Sequence, residues 1–249
     1  MKKEISQAPS EHSYPNSTII EALCELHFTS EGNASDETWD GKWFGRLLTE
    51  LSLKYDMEPK LVGGVQISAG QTIAIGHMIY RCKDNSHLIQ LSPWKLTINE
   101  LKYESWNTFF QHIQYACKCL SKIINSIEIK RIGMRYINKI PRTSKEESVG
   151  SWISDTGLVP RKILEQTKNF FYRSESEKSD NMKLILTISE ETSTLPSSLI
   201  FDIDIVSIKK VNSDWDSISL EINNIHNEIR GVFDTSRTEK YTNFLKKIS

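Results

Sequence analysis

The sequence predicts an α+β protein built of antiparallel β-sheets with long amphipathic helices. Three observations predict it. Short runs of alternating polar and apolar residues recur along the chain, separated by tight-turn residues, the pattern of antiparallel neighbours. Longer stretches place apolar side chains at helical spacing. The strands come in runs with the helices set apart, which separates α+β from strictly alternating α/β. With 249 residues the chain is long enough for one large domain or two small ones. The expected organisation is a polar tail over 1–17, an N-terminal half over 18–141, a connection over 142–150 and a C-terminal half over 151–249. The halves are either interlocked or fused into one domain.

The first element is a strand over 18–28, with Ile20, Ala22, Cys24, Leu26 and Phe28 on one face. Glu21, Glu25 and His27 share the other face with Ile19 and Leu23. Gly32-Asn33 signals a turn, and Asp36 is placed to cap a helix bearing Trp39, Trp43, Phe44, Leu47, Leu48 and Leu51. Pro59 and Gly63-Gly64 interrupt the pattern. Strands are expected over 65–68, 72–81 and 86–92, with Asp84-Asn85 turning the last two into a hairpin, and 94–98 extends the sheet. A second helix over 105–125 carries the stripe Trp106, Phe109, Phe110, Ile113, Cys117, Leu120 and Ile124. A strand through Arg131 follows and ends at Pro141.

The segment 142–150 is polar and unpatterned. Pro160 opens a short helix over 160–166. Strands are expected over 169–173, 182–189 and 199–206, with a charged loop over 174–181 between the first two. Ser213 with Asp216 resembles a capping box, opening a helix with the stripe Trp215, Ile218, Ile222, Ile225 and Ile229. Thr235 starts a final short helix with Tyr241, Phe244 and Leu245 inward. Both halves end a strand run with a long Trp-led helix, the outline of a remote duplication.

Composition narrows the function. The 31 Lys and Arg nearly cancel the 32 Asp and Glu, so no global positive field gathers nucleic acid, although a local patch remains open. Six Trp, eight Tyr and nine Phe argue against disorder. No apolar run approaches the ~20 residues that span a bilayer. The N-terminus has no apolar core of a signal peptide. Cys24, Cys82, Cys117 and Cys119 read as free thiols in a reducing cytoplasm, and the Cys-x-Cys pair points to different sides of a helix. No cofactor is expected.

The chemistry concentrates in Arg131-Ile132-Gly133-Met134-Arg135-Tyr136-Ile137-Asn138. Read as a strand, it turns Ile132, Met134 and Tyr136 to one face and Arg131, Arg135 and Lys139 to the other. This basic stripe either pairs with carboxylates or binds a phosphate or acidic partner, with Lys130 at its edge. Asp202 and Asp204, which share one strand face, are the first expected partners of Arg135, and Glu21 and Glu25 the next. The same aspartates are candidate ligands for a divalent cation, with Glu190 and Glu191 nearby in sequence. The six histidines are dispersed, and His226 is expected to cap or pack between elements. No nucleophile elbow, phosphate loop or dinucleotide fingerprint is present. Trp39, Trp43, Trp106 and Trp215 are assigned to the core; Trp94 and Trp152 have no assignment.

Several of these segments carry a resemblance. They are Pro15 and Ile20-Glu21-Ala22 with Glu25 and Phe28; Leu91-Ser92-Pro93 with Leu101, Tyr103, Trp106 and Phe109; the Arg131–Asn138 run; and Asp202-Ile203-Asp204 with His226 and Phe233. In these the chain resembles a sporadically distributed, uncharacterised bacterial family of similar length. That family tends to show a Thr-Asp pair after Phe233, where this chain has Thr235-Ser236. The resemblance implies no established activity, substrate or cofactor; its patchy distribution suits mobile or defence-linked genes.

The resulting expectation is a non-catalytic interaction or recognition protein, not an enzyme. It would be an accessory subunit acting with products of neighbouring genes in a bacterial defence or toxin–antitoxin-like system. Its partner would be a protein from a neighbouring gene or a second copy, in the cytoplasm and off the membrane. The alternatives are a nucleic-acid-binding module on the Arg131, Arg135 and Lys139 face, and a metal-dependent enzyme using Asp202 and Asp204.

Overall fold

The computed structural model describes residues 14–30, 42–68, 71–124, 127–193 and 195–247. The Gly32-Asn33 turn, the Asp36 cap, Trp39 and most of the polar tail lie outside the described residues. Nine strands are described: β1 (Ile19–Ser30), β2 (Met57–Ser68), β3 (Gln71–Cys82), β4 (His87–Ser92), β5 (Lys95–Glu100), β6 (Ile127–Pro141), β7 (Phe171–Ser179), β8 (Met182–Glu191) and β9 (Ser198–Ser207). The helices are α1 (Lys42–Ser52), α2 (Trp106–Ile123), α3 (Arg161–Leu164), α4 (Trp215–Ser236) and α5 (Glu239–Lys246).

All nine strands join one sheet in the order β2-β3-β4-β5-β1-β6-β9-β8-β7, and every neighbouring pair is antiparallel. The α+β expectation therefore holds, with one sheet rather than several. The chain follows the same route on both sides of the centre. From β2 to β5 it meanders back until β5 lies beside β1; from β7 to β9 it meanders back until β9 lies beside β6. β1 and β6 pair with each other, Ala22 opposite Tyr136 and Cys24 opposite Met134.

Alternation decides what the central strands bury. Ala22, Cys24, Leu26 and Phe28 of β1, Ile132, Met134, Tyr136 and Ile140 of β6, and Leu199, Phe201, Ile203 and Ile205 of β9 are all buried. Against this face lie α2, through Phe109, and α4, through His226; both contact Tyr136. α2 and α4 also touch each other. Ile20 was expected inward, but a register irregularity between Ile19 and Glu21 breaks the alternation and leaves it 47% exposed.

Four other expectations are corrected. Pro59 and Gly63-Gly64 do not interrupt the sheet; they lie inside β2, an edge strand that borders only β3 and so tolerates a proline. Gly63 has φ 136 and faces Gly76, where a Cβ would come within 2.5 Å of the Val62 carbonyl oxygen. The charged segment 174–181 is not a loop: β7 continues to Ser179, mostly exposed along its length because it is the opposite edge. The N-cap of α4 is Asp214, whose side chain accepts from the Ser217 N–H; α4 runs past Thr235, and Thr238 caps α5. Finally, 142–150 is more than a connection. Arg142 is 5% exposed, and its guanidinium donates to the Ser197 carbonyl (2.9 Å), the Glu147 carbonyl (3.2 Å), Glu190 Oε1 (2.7 Å), the Thr167 carbonyl and the Ser197 hydroxyl.

The cysteines are free, with Cys24, Cys82 and Cys119 buried and Cys117 half-buried. Among the described residues no helix is long and apolar enough to cross a membrane.

Candidate functional site

The face of β6 turned away from Tyr136 carries the basic stripe, and each of its cations meets a carboxylate. Arg135 forks onto Asp202, Nε to Oδ1 at 2.8 Å and Nη2 to Oδ2 at 2.6 Å. Its backbone partner on β9 is Asp204, so the guanidinium reaches diagonally across the sheet. Arg131 donates to Glu25 at 3.3 Å, a carboxylate shared with Lys95 at 3.2 Å and His27 at 3.3 Å. Lys139 lies 2.6 Å from Glu191. The His27 contact holds the Glu25 carboxyl at about 2 against the effect of burial, with help from Lys95. Burial pushes Asp204 up to about 6, and the charge of Asp202 adds to this.

This arrangement limits both alternatives placed on these residues. A phosphate would compete with carboxylates already seated, and a cation between Asp202 and Asp204 would have to displace the Arg135 fork, which uses both Asp202 oxygens. Asp202→Ala is expected to lower stability by about 1.5–3 kcal/mol, the worth of charge-assisted hydrogen bonds. In a double-mutant cycle with Arg135→Ala, followed by urea unfolding, the two losses should fail to add; simple additivity would show that the pair does not form.

On the helix-bearing face a cleft opens that no sequence pattern marks. Its walls are Tyr14 and Ile19 at the start of the described chain, Tyr103 and Trp106 at the entry to α2, Tyr136 and Asn138 of β6, Ile203 of β9, and His226, Ile229 and Phe233 of α4. The cleft is open on one side and has a volume of about 160 Å³. Ser105 fixes the entry to α2 by accepting from the Thr108 N–H at 3.1 Å, which puts Trp106 in the first turn. The His226 imidazole lies flat on Trp106, centroids 3.9 Å apart and interplanar angle 0°, with Nδ1 3.2 Å from the Tyr136 hydroxyl. Tyr103 stands edge-on to Tyr136 at 5.5 Å. Asn138 is anchored behind the wall, accepting from Thr18 Oγ1 at 3.0 Å and donating to the Phe201 carbonyl at 3.2 Å. His226 thus packs between elements as expected, while forming part of a wall that was not foreseen.

A second unforeseen group joins β4, β5 and α2. Glu100, 2% exposed, lies 2.6 Å from His112 Nδ1. The rings of His112 and His87 stack at 4.2 Å with 20° between planes. His87 Nδ1 meets the Ser86 hydroxyl at 2.8 Å, and its buried Nε2 has no hydrogen-bond partner among the described residues. The donor atoms of the three residues lie within 4.8 Å of one another. A metal sits in the plane of each imidazole that ligates it, about 2.0–2.1 Å from the nitrogen for zinc. Two nearly parallel, stacked rings cannot both meet that condition for one ion, so the group as folded does not fit a metal.

Burial, reinforced by the positive charge of His112, lowers His87 to about 4. An unfolded His takes its proton near 6.5. Between about pH 6.5 and 4 the unfolded chain therefore binds more protons at this residue, so stability is full above pH 6.5 and falls as the pH drops toward 4. His87→Phe should remove this part of the acid loss. Urea unfolding at pH 7.5 and 4.5 measures it; an unchanged difference between the two pH values would show that His87 is not the group responsible.

No protein-family model matches the chain, and no curated protein matches it in sequence.

Proposed function

We propose that the chain is a non-catalytic recognition protein whose receiving site is the aromatic cleft between α2, α4 and the central strands. One observation carries this reading: the cleft is a concave cavity with largely aromatic walls and a few fixed polar groups, the make-up of ligand sites in general. It lies where β1 and β6 run side by side at the middle of the sheet. The internal neutralisation of the basic stripe supports this reading over nucleic-acid binding, and the Arg135 fork on Asp202 supports it over a metal-dependent enzyme. An accessory role beside products of neighbouring genes, in bacterial defence or a toxin–antitoxin-like unit, draws its support from the family resemblance of the β6 segment and its companions. In that role the occupied cleft is what the partner protein reads.

Indole is the simplest test. It should bind with a dissociation constant on the order of 1 mM, as expected for about nine non-hydrogen atoms. Ser17→Trp, at the exposed rim of the cleft, should weaken binding at least tenfold while leaving the fold unchanged by circular dichroism. Binding that ignores the rim substitution would place the ligand elsewhere. Metal-dependent degradation of nucleic acid or nucleotides by the purified chain would overturn the non-catalytic reading.

A further inference from the structure

We propose that the cleft selects a small organic cation, an ammonium group carried on an apolar, ring-sized body. The inference rests on reading the cleft as the receiving site. Its first support is the walls: Tyr103, Trp106 and Tyr136 line the cavity, Trp106 with one face already taken by His226, and aromatic rings attract cations through their negative quadrupole.

The second support is the charge at the mouth. Glu104, Asp234 and Arg230 line the cleft. Asp234 is already engaged, 2.6 Å from Arg237 and 3.6 Å from Arg230. Arg230 and Arg237 share Asp234, and Glu104 brings the four charges to balance; Glu104 is exposed and makes no ion pair among the described residues, so it is the carboxylate left at the mouth to meet a ligand's ammonium group. At the positive end of α2, which by itself favours an anion, the Ser105 hydroxyl takes up the Thr108 N–H, and the Glu104 carboxylate stands next to it in sequence. The third support is an internal precedent. At the edge of the same cleft the Arg237 guanidinium lies 5.1 Å from the ring centroid of Tyr14 and 5.0 Å from that of Phe233, both lining residues. The protein already holds one of its own cations between aromatic rings there. Size agrees with the ring-sized body: a cavity of about 150 Å³ is known to take benzene, so about 160 Å³ holds a phenyl ring and leaves a short aminoalkyl arm at the open mouth.

Matched probes of nearly equal size separate charge from shape: phenethylamine, phenethyl alcohol and phenylacetate, each titrated into the full chain by calorimetry. Phenethylamine should bind about tenfold tighter than the alcohol, and phenylacetate weakest. Glu104→Gln, a change at an exposed position, should cut the lead of the amine to about threefold and leave the alcohol unchanged. If the alcohol or phenylacetate binds as tightly as the amine, the cation inference fails and the cleft stands as a site for neutral or acidic ligands. If no probe binds, the recognition site itself is misplaced and both readings fall.

Discussion

Arg142→Ala is expected to destabilise the fold by ~3–5 kcal/mol, the usual loss when one partner of a buried, hydrogen-bonded ion pair is removed. Its guanidinium sits at the end of β6 and ties two segments outside the sheet, through the Glu147 and Thr167 carbonyls, to Glu190 of β8 and Ser197 at the entry to β9. Truncation leaves Glu190 behind, 10% exposed, with its other oxygen accepting from the Asn169 N–H at 2.6 Å. Arg142→Lys should recover little, because a single ammonium cannot serve acceptors spread around a planar fork. Urea unfolding of both variants tests this. A loss under about 1 kcal/mol for the alanine variant would show that the segments are tied by something other than Arg142.

Trp152→Ala should cost a similar ~3–5 kcal/mol, as large aromatic truncations in a packed core do. The side chain is 1% exposed, edge-on to Tyr241 at 6.0 Å and to Phe244 at 5.8 Å, with the Lys240 ammonium 4.4 Å from a ring centroid. It is the pin that docks α5 against the turn after 142–150. The indole N–H donates to Glu147 Oε2 at 3.0 Å. Burial pushes the Glu147 carboxyl up, but hydrogen bonds from Lys240, Thr143 and Trp152 outweigh it and hold it at about 2. Trp152→Phe keeps most of the packing and gives up that hydrogen bond, so a loss nearer 1 kcal/mol is expected. Because Trp152 and Arg142 both bond to Glu147, the double variant should lose less than the sum of the singles. Full additivity would show that the two contacts are independent.

What the sequence disclosed follows from how local the physics is. β6 was legible because Ile132, Met134 and Tyr136 form a buried row that alternates with Arg131 and Arg135, a pattern that Gly133 does not break. The Asp84-Asn85 turn was legible because Asn85 takes φ 57, a conformation Asn accepts more readily than most residues. β7 was hidden because an edge strand needs no apolar face; its Ser and Glu residues look like a loop until Leu184 and Leu186 on β8 are seen opposite Ser176 and Ser174. β2 was hidden by Pro59 and its glycines, which are breakers in a central strand and acceptable at an edge. Of the site, the pairing of Arg135 with Asp202 was anticipated because both rows of charge are periodic. The cleft and the His87, Glu100 and His112 group were not, since each gathers residues from several elements with no common spacing. Arg142 escaped for the same reason: its bonding partners come from distant stretches of chain, and a lone arginine in a polar run carries no sign of burial.

The antiparallel pairing of β1 with β6 sets the order of assembly apart from the order of synthesis. Ala22 faces Glu100 on one side and Tyr136 on the other, so β1 lacks its second neighbour until residues 136 − 22 = 114 positions later have been made. At about 5–20 residues per second that is a wait of about 6–23 s on the ribosome. Through that interval Ala22, Cys24, Leu26 and Phe28 form a nascent apolar strand with an unpaired edge, a natural substrate for a holding chaperone. A ribosome stalled before residue 127 would release a chain whose earliest strand has no way to close.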